Sequence, residues 1–275
     1  MSQILTQPKY FELESAAFIC SLRLKDRMQY ALSGGFAVTL IRKQEAELPM
    51  TDHIEFLVDS NNLALAEAMF QEDTEVNKQQ VLDVLDEKLI VNIYKIPQGP
   101  RAVVVKFVPL GQQFYPWQLT FGDDKREPTI YPLNVRILGE TKEIRVLTPK
   151  YLLYHLVASF HLLPVSATDD NELNSKRSTY TQINVCLEAA ASLASEQTTD
   201  PLRQLYKFDL VQAAFLRERV LALIEYACHN SCRFTAVQIN QWASLGVAVT
   251  EEDLSTPVGN NNMDEETWYT AWDGM

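Results

Sequence analysis

Two adjacent glycines place the tightest constraint on what this chain can fold into. Ser33-Gly34-Gly35-Phe36-Ala37 follows the short apolar run Tyr30-Ala31-Leu32 and opens a helical pattern over 35–43. A glycine pair between a strand and a helix allows a reversal that a Cβ would obstruct. It also lets backbone N–H groups at the helix start come close to an anion. After the turn residues Glu47-Leu48-Pro49 comes Thr51-Asp52-His53-Ile54-Glu55-Phe56, which alternates polar and apolar residues. Such alternation puts Ile54, Phe56 and Val58 on one face of a strand, and His53, Glu55 and Leu57 on the other. A strand–Gly-Gly–helix–strand unit of this kind belongs in an α/β fold.

The rest of the chain reads as an α/β half followed by a helical half. Helical spacing is predicted over 12–30, 63–70 and 76–85. Runs rich in β-branched residues over 89–96 and 102–108 flank Pro97-Gln98-Gly99-Pro100 and predict a hairpin. A second strand pair, 133–138 and 143–147, flanks Gly139. Beyond Pro149 the pattern turns helical, over 151–162, 179–195, 209–229 and 236–245. The polar segment 164–176, with Asp169-Asp170-Asn171-Glu172, is expected to be an exposed linker, and Lys176-Arg177 a solvated helix start. The expected organisation is an α/β domain over 1–147, a helical domain over 148–250 and an acidic, aromatic tail over 251–275. Trp268-Tyr269-Thr270-Ala271-Trp272 is rich in rings for a disordered tail, so these residues are expected to dock on the body or to lid a cleft.

Composition narrows the functional classes. A chain of 275 residues, 47% hydrophobic, can bury a sizeable core. The net charge of −12 argues against DNA or RNA as a partner, although the seven acids of the tail carry much of it. No apolar run approaches the ~20 residues of a membrane-spanning helix, and no secretory leader is visible, so a cytoplasmic protein without a membrane partner is expected. Cys20, Cys186, Cys228 and Cys232 are scattered as in a reducing compartment. Cys228-His229-x-x-Cys232 lacks the second ligand pair of a structural zinc site, so these read as plain thiols.

The motifs together resemble the nucleotidyltransferase fold (DNA polymerase beta-like superfamily), in particular its small fungal and toxin-type members, over residues 30–195. In that family the strand after the glycine turn commonly reads Arg-x-Thr-x-Asp-Ile-Asp. Here Pro49-Met50-Thr51-Asp52-His53-Ile54-Glu55 keeps Thr51 and Ile54 but replaces Arg by Pro49 and the two Asp by His53 and Glu55. The family's third Asp lies in a later strand before a Pro and a Gly. Val105-Lys106-Phe107-Val108-Pro109-Leu110-Gly111 fits that place with Lys106 at the acid position, and Val135-Arg136-Ile137-Leu138 is an alternative register. Val146-Leu147-Thr148-Pro149-Lys150-Tyr151 is similar to the family's strand-to-helix junction, where the helix lysine becomes Leu156. Tyr180 and Gln182 stand where acids are common. The resemblance implies a mixed sheet with helices followed by a C-terminal helical region, an α/β (α+β) fold. It also implies a cleft that once held a magnesium triphosphate.

The substitutions alter the chemistry. Nucleotidyl transfer uses carboxylates to hold magnesium, which prefers oxygen ligands in octahedral geometry. His53, Glu55 and Lys106 leave one anion and add one cation, so the metal site is expected to be degenerate, with no metal and no cofactor. A less polar cleft lined by Phe114, Tyr115, Trp117, Tyr131 and Tyr180 would suit a small, largely apolar metabolite. The expected activity is a metal-independent cyclisation or isomerisation, pericyclase-like, by analogy with repurposed folds of fungal natural-product pathways. His53, Glu55 and Lys106 would be the acid–base groups, with Ser33, Gly34, Gly35, Thr51, Trp117 and Tyr180 as substrate contacts. The alternatives are a non-catalytic scaffold binding a protein or a nucleotide, and a nucleotidyltransferase still active with magnesium. His155 and His161 point to opposed sides of one helix, which excludes a paired metal site there; each is expected on the surface or hydrogen-bonded in the core.

Overall fold

A computed structural model of the chain describes residues 10–42, 51, 53–71, 76–80, 90–95, 102–110, 130–137, 140–162, 170–195, 207–230 and 234–250. The α/β half comprises α1 (Tyr10–Lys25), β1 (Tyr30–Ser33), α2 (Gly34–Arg42), β2 (His53–Asp59), a 3-10 turn (Ser60–Asn62), α3 (Leu63–Gln71) and β3 (Val76–Gln80). It continues through β4 (Ile90–Lys95), β5 (Ala102–Leu110), β6 (Ile130–Ile137) and β7 (Glu140–Leu147). Four helices follow: α4 (Pro149–Leu162), α5 (Asp170–Ser195), α6 (Leu210–His229) and α7 (Ala236–Ser244). The fold is therefore the mixed α/β sheet with a helical region that the motifs imply.

The strands form one mixed sheet of seven among the described residues, in the order β3-β4-β5-β2-β1-β7-β6. β1 runs antiparallel to β2, with Ser33 opposite Glu55, and parallel to β7 at Leu32 and Val146. β2 and β5 are parallel, so Glu55 lies beside Lys106. β4–β5 and β6–β7 are the two expected antiparallel pairs. The centre of the sheet is apolar: Ile54, Phe56 and Val58 are buried on β2, and Phe56 stacks on Phe107 of β5 with centroids 6.1 Å apart. One cluster of buried side chains runs without a break from α1 and the sheet into α4, α5, α6 and α7. Trp242 of α7 is completely buried within it.

Sequence and structure part at three places. The helix predicted over 76–85 begins instead as β3, whose pairing with β4 overrides the helical spacing of Val76, Val81, Leu82 and Leu85. The first helix ends at Lys25, short of the predicted 30, because Leu24 O closes a turn with Arg27 N and Met28 N before β1. The segment expected as an exposed linker is helical from Asp170 onwards. Lys176 within it is buried rather than solvated, its ammonium over the rings of Phe160 and Tyr226 at 5.2 and 5.7 Å, while Arg177 is exposed. A lysine stem packs as a hydrophobe, and an aromatic face accepts its charge. The helix starts at Asp209 and Thr235, in contrast, follow local rules: each caps its helix through a reciprocal bond with Gln212 or Gln238.

Candidate active site

The glycine turn ends β1 and begins α2. Gly34 has φ +67°, the left-handed region that costs an L side chain energy. A Cβ at Gly34 would lie 3.4 Å from Glu55 Cβ and 3.7 Å from Glu55 Oε1. At Gly35 a Cβ would fall 2.4 Å from Gln182 Nε2, inside any permitted contact. The start of α2 is thus held between the carboxylate of β2 and the carboxamide of α5, and each glycine hydrogen faces one of them. Gln182 is buried, and its Nε2 donates to Ser178 Oγ at 3.2 Å, one helical turn back.

Glu55 is the centre of the site. Its Oε1 accepts from Ser33 Oγ at 2.5 Å and lies 2.5 Å from Nε2 of His155, a buried residue of α4. The Ser33 bond follows from register, since the two residues face each other across the β1–β2 pair. Burial pushes the Glu55 carboxyl up, but the charge and hydrogen bond of His155 and the Ser33 hydroxyl outweigh it. The group is held well below the usual carboxylate range. The Glu55 side chain retains 14% of its exposure, so it borders solvent without projecting into it.

A second chain of contacts runs beside the first. Lys106 Nζ lies 3.2 Å from His53 Nε2, and His53 Nδ1 lies 3.3 Å from Thr51 Oγ1. An ammonium offers only donors, so Nε2 accepts from Lys106, and Nδ1–H donates to Thr51. The Thr51 hydroxyl in turn donates to the His53 carbonyl at 2.9 Å. Parallel pairing of β2 with β5 sets this up, because in-register residues share a face and Lys106 pairs with Glu55. The alternative position, Arg136, lies on β6 at the sheet edge, with β1 and β7 between it and β2.

Six residues named from sequence therefore converge: Ser33, Gly34, Thr51, His53, Glu55 and Lys106, with Gly35 at their edge. Tyr180 does not join them. It is buried with its ring centroid 5.6 Å from that of Tyr226 on α6, because it sits two residues from Gln182 and so on the opposite side of α5. Trp117, Phe114 and Tyr115 lie outside the described residues, as do the tail and the side chain of Tyr131. Two residues of the site escaped the sequence as functional groups: His155, which falls under the hydrogen-bonded core reading, and Gln182, noted only as replacing an acid. Among the described residues no cluster of three or more His, Cys, Asp or Glu side chains could hold a metal ion. Cys20 and Cys186 are buried, and burial pushes the Cys20 thiol up to about 12. A groove of about 300 Å³ between α2 and α5 involves Val38, Ile41, Val185 and Glu188, further along α2 than the glycine turn. No described helix is long and apolar enough to cross a membrane.

No family model matches the chain, and no curated protein matches it. Among solved structures it is similar to an antigenic nucleotidyltransferase-like protein from Paracoccidioides brasiliensis, at 15% identity and a TM-score of 0.39, covering 71% of this chain and 92% of that one. It is also similar to the antibiotic-resistance factor ANT(2'')-Ia in solution, at 13% identity and a TM-score of 0.39, covering 80% and 97%. A third likeness is to ANT(2")-Ia in complex with adenylyl-2"-tobramycin, at 13% identity and a TM-score of 0.38, covering 66% and 95%. The chain's own strand–Gly-Gly–helix–strand unit and seven-stranded mixed sheet define an α/β fold.

Proposed function

We propose that this chain works without a metal, its cleft binding a small, largely apolar metabolite and promoting its cyclisation or isomerisation. The observation that carries the reading is the Lys106–His53–Thr51 chain of hydrogen bonds, standing where the resemblance calls for metal carboxylates. A cation placed on an imidazole repels a divalent ion, whereas it suits a carbonyl or another oxygen on which negative charge develops. In an isomerisation a proton given to one substrate atom is matched by one taken from another, so composition is unchanged and no oxidant is needed. Lys106 would lend and recover that proton, and His53, oriented by Thr51, would hold the ammonium in place. The apolar character of the ligand rests on the sequence around Phe114, Tyr115 and Trp117.

A second reading, a scaffold without chemistry, draws support from Glu55, whose Oε1 is already engaged by Ser33 and His155. Thermal-shift titration with Mg-ATP, ATP alone and a panel of apolar metabolites separates the readings. The expected result is no magnesium-dependent stabilisation, and a shift with a metabolite that Lys106→Ala and His53→Ala abolish while the variants stay folded. Stabilisation of several degrees by Mg-ATP, lost without magnesium, would restore the nucleotidyltransferase. A protein partner recovered in pull-downs, with no response to any small molecule, would favour the scaffold.

A further inference from the structure

The two groups packed on the glycine turn point to how the cleft selects its ligand. We infer that Gln182 is a specificity-determining residue, which together with Glu55 keeps phosphate groups off the glycine turn and confines the cleft to ligands uncharged at that end. The inference rests on the metal-independent reading above and names a property of the same site.

The turn is occupied on both sides by the chain itself. On the α5 side the Gln182 carboxamide lies so close to Gly35 that its nitrogen, carbon and oxygen would stand 2.4, 2.7 and 2.9 Å from a Cβ. A phosphate oxygen approaching Gly35 along its Cβ direction would meet the carboxamide first. On the β2 side the Glu55 carboxyl lies against Gly34, and its two donors, Ser33 and His155, hold it there. An anion is therefore already present beside the start of α2, where a second anion would meet like charge across a short, partly buried gap. One residue excludes by volume and the other by charge, the repulsive half of a specificity device. Gln182 is also held in this position by its own helix, because the Ser178 hydroxyl, four residues back on the same face, takes one of its amide protons. A carboxamide that both donates and accepts can meet a carbonyl or hydroxyl of an uncharged ligand, which a filled glycine turn would still admit.

Inorganic tripolyphosphate and ATP, each with and without magnesium, are the probes, read by calorimetry and thermal shift on the full chain. Wild type is expected to bind neither. Gln182→Ala should bind tripolyphosphate, and Gln182→Ala combined with Glu55→Gln should bind it at least about tenfold tighter than Gln182→Ala alone. Gln182→Asn, shorter by one methylene, should show the same gain in weaker form and replaces the alanine variant if that does not fold. Tripolyphosphate binding by wild type in the absence of metal overturns the exclusion but leaves the metal-independent reading standing. Folded variants that bind no better than wild type also overturn it. Wild-type binding of ATP only with magnesium would instead remove the reading on which the inference rests.

Discussion

His155 Nε2 lies 2.5 Å from Glu55 Oε1, so one contact joins α4 of the helical half to β2 of the sheet. The two residues are a hundred positions apart in the chain, and their pairing ties the site to the packing of the helices on the sheet. A carboxylate in this position keeps its charge only while its donors stay in place.

Removing the imidazole should therefore cost stability rather than only alter the cleft. His155→Ala leaves a largely buried carboxylate with one partner fewer, and we expect a loss of about 3 kcal/mol in urea unfolding. Glu55→Gln keeps a carbonyl oxygen to accept from Ser33 and His155 and should lose only about 1 kcal/mol. No loss in Glu55→Gln would show that the charge at Glu55 contributes nothing beyond its hydrogen bonds.

Glu55 should also shape the acid limb of the stability curve. Its folded pKa is depressed, so below the unfolded value of about 4.3 the unfolded chain binds the proton first. The contribution of Glu55 is then complete above that value and is lost progressively as pH falls toward the folded pKa. Denaturation of wild type and Glu55→Gln from pH 7 to pH 2 measures it, and the gap between the curves should narrow as the solution becomes acidic. A gap that is constant with pH would contradict the assignment.

The two glycines should fail differently. Gly34→Ala forces a Cβ into the left-handed region and should cost about 1–2 kcal/mol whatever surrounds it. Gly35→Ala should be costly because Gln182 is in the way, and Gln182→Ala should relieve it, with a coupling of about 1 kcal/mol in a double-mutant cycle. Additive losses at Gly35 and Gln182 would mean that the carboxamide does not fill the space over the turn.

Much of this site is written locally. The strand alternation of His53, Glu55 and Leu57 against Ile54, Phe56 and Val58 depends only on the two-residue period of an extended chain; burial follows it from His53 to Phe56, and Leu57 is buried on the other face as well. The caps at Asp209 and Thr235 are equally local, each needing only a side-chain oxygen and a glutamine three residues on. The helical spacing over 76–85 misleads for the opposite reason. Whether Val76–Gln80 extends or coils depends on the free edge of β4 beside it, and that edge exists only once the hairpin with β5 has formed.

The sequence by itself determined the glycine turn and the faces to which the side chains of β2 point, because residue type and strand period are properties of short segments. Only the tertiary structure decided that Lys106 rather than Arg136 meets His53, since the order of strands in a sheet is a matter of long-range pairing. It alone placed His155 on Glu55 and Gln182 on Gly35, and turned Tyr180 toward Tyr226. Helical spacing gives the angle between residues on one helix but not the direction in which that helix presents them. That direction is set when α4 and α5 bury their apolar sides against the sheet, α6 and α7 in one continuous core.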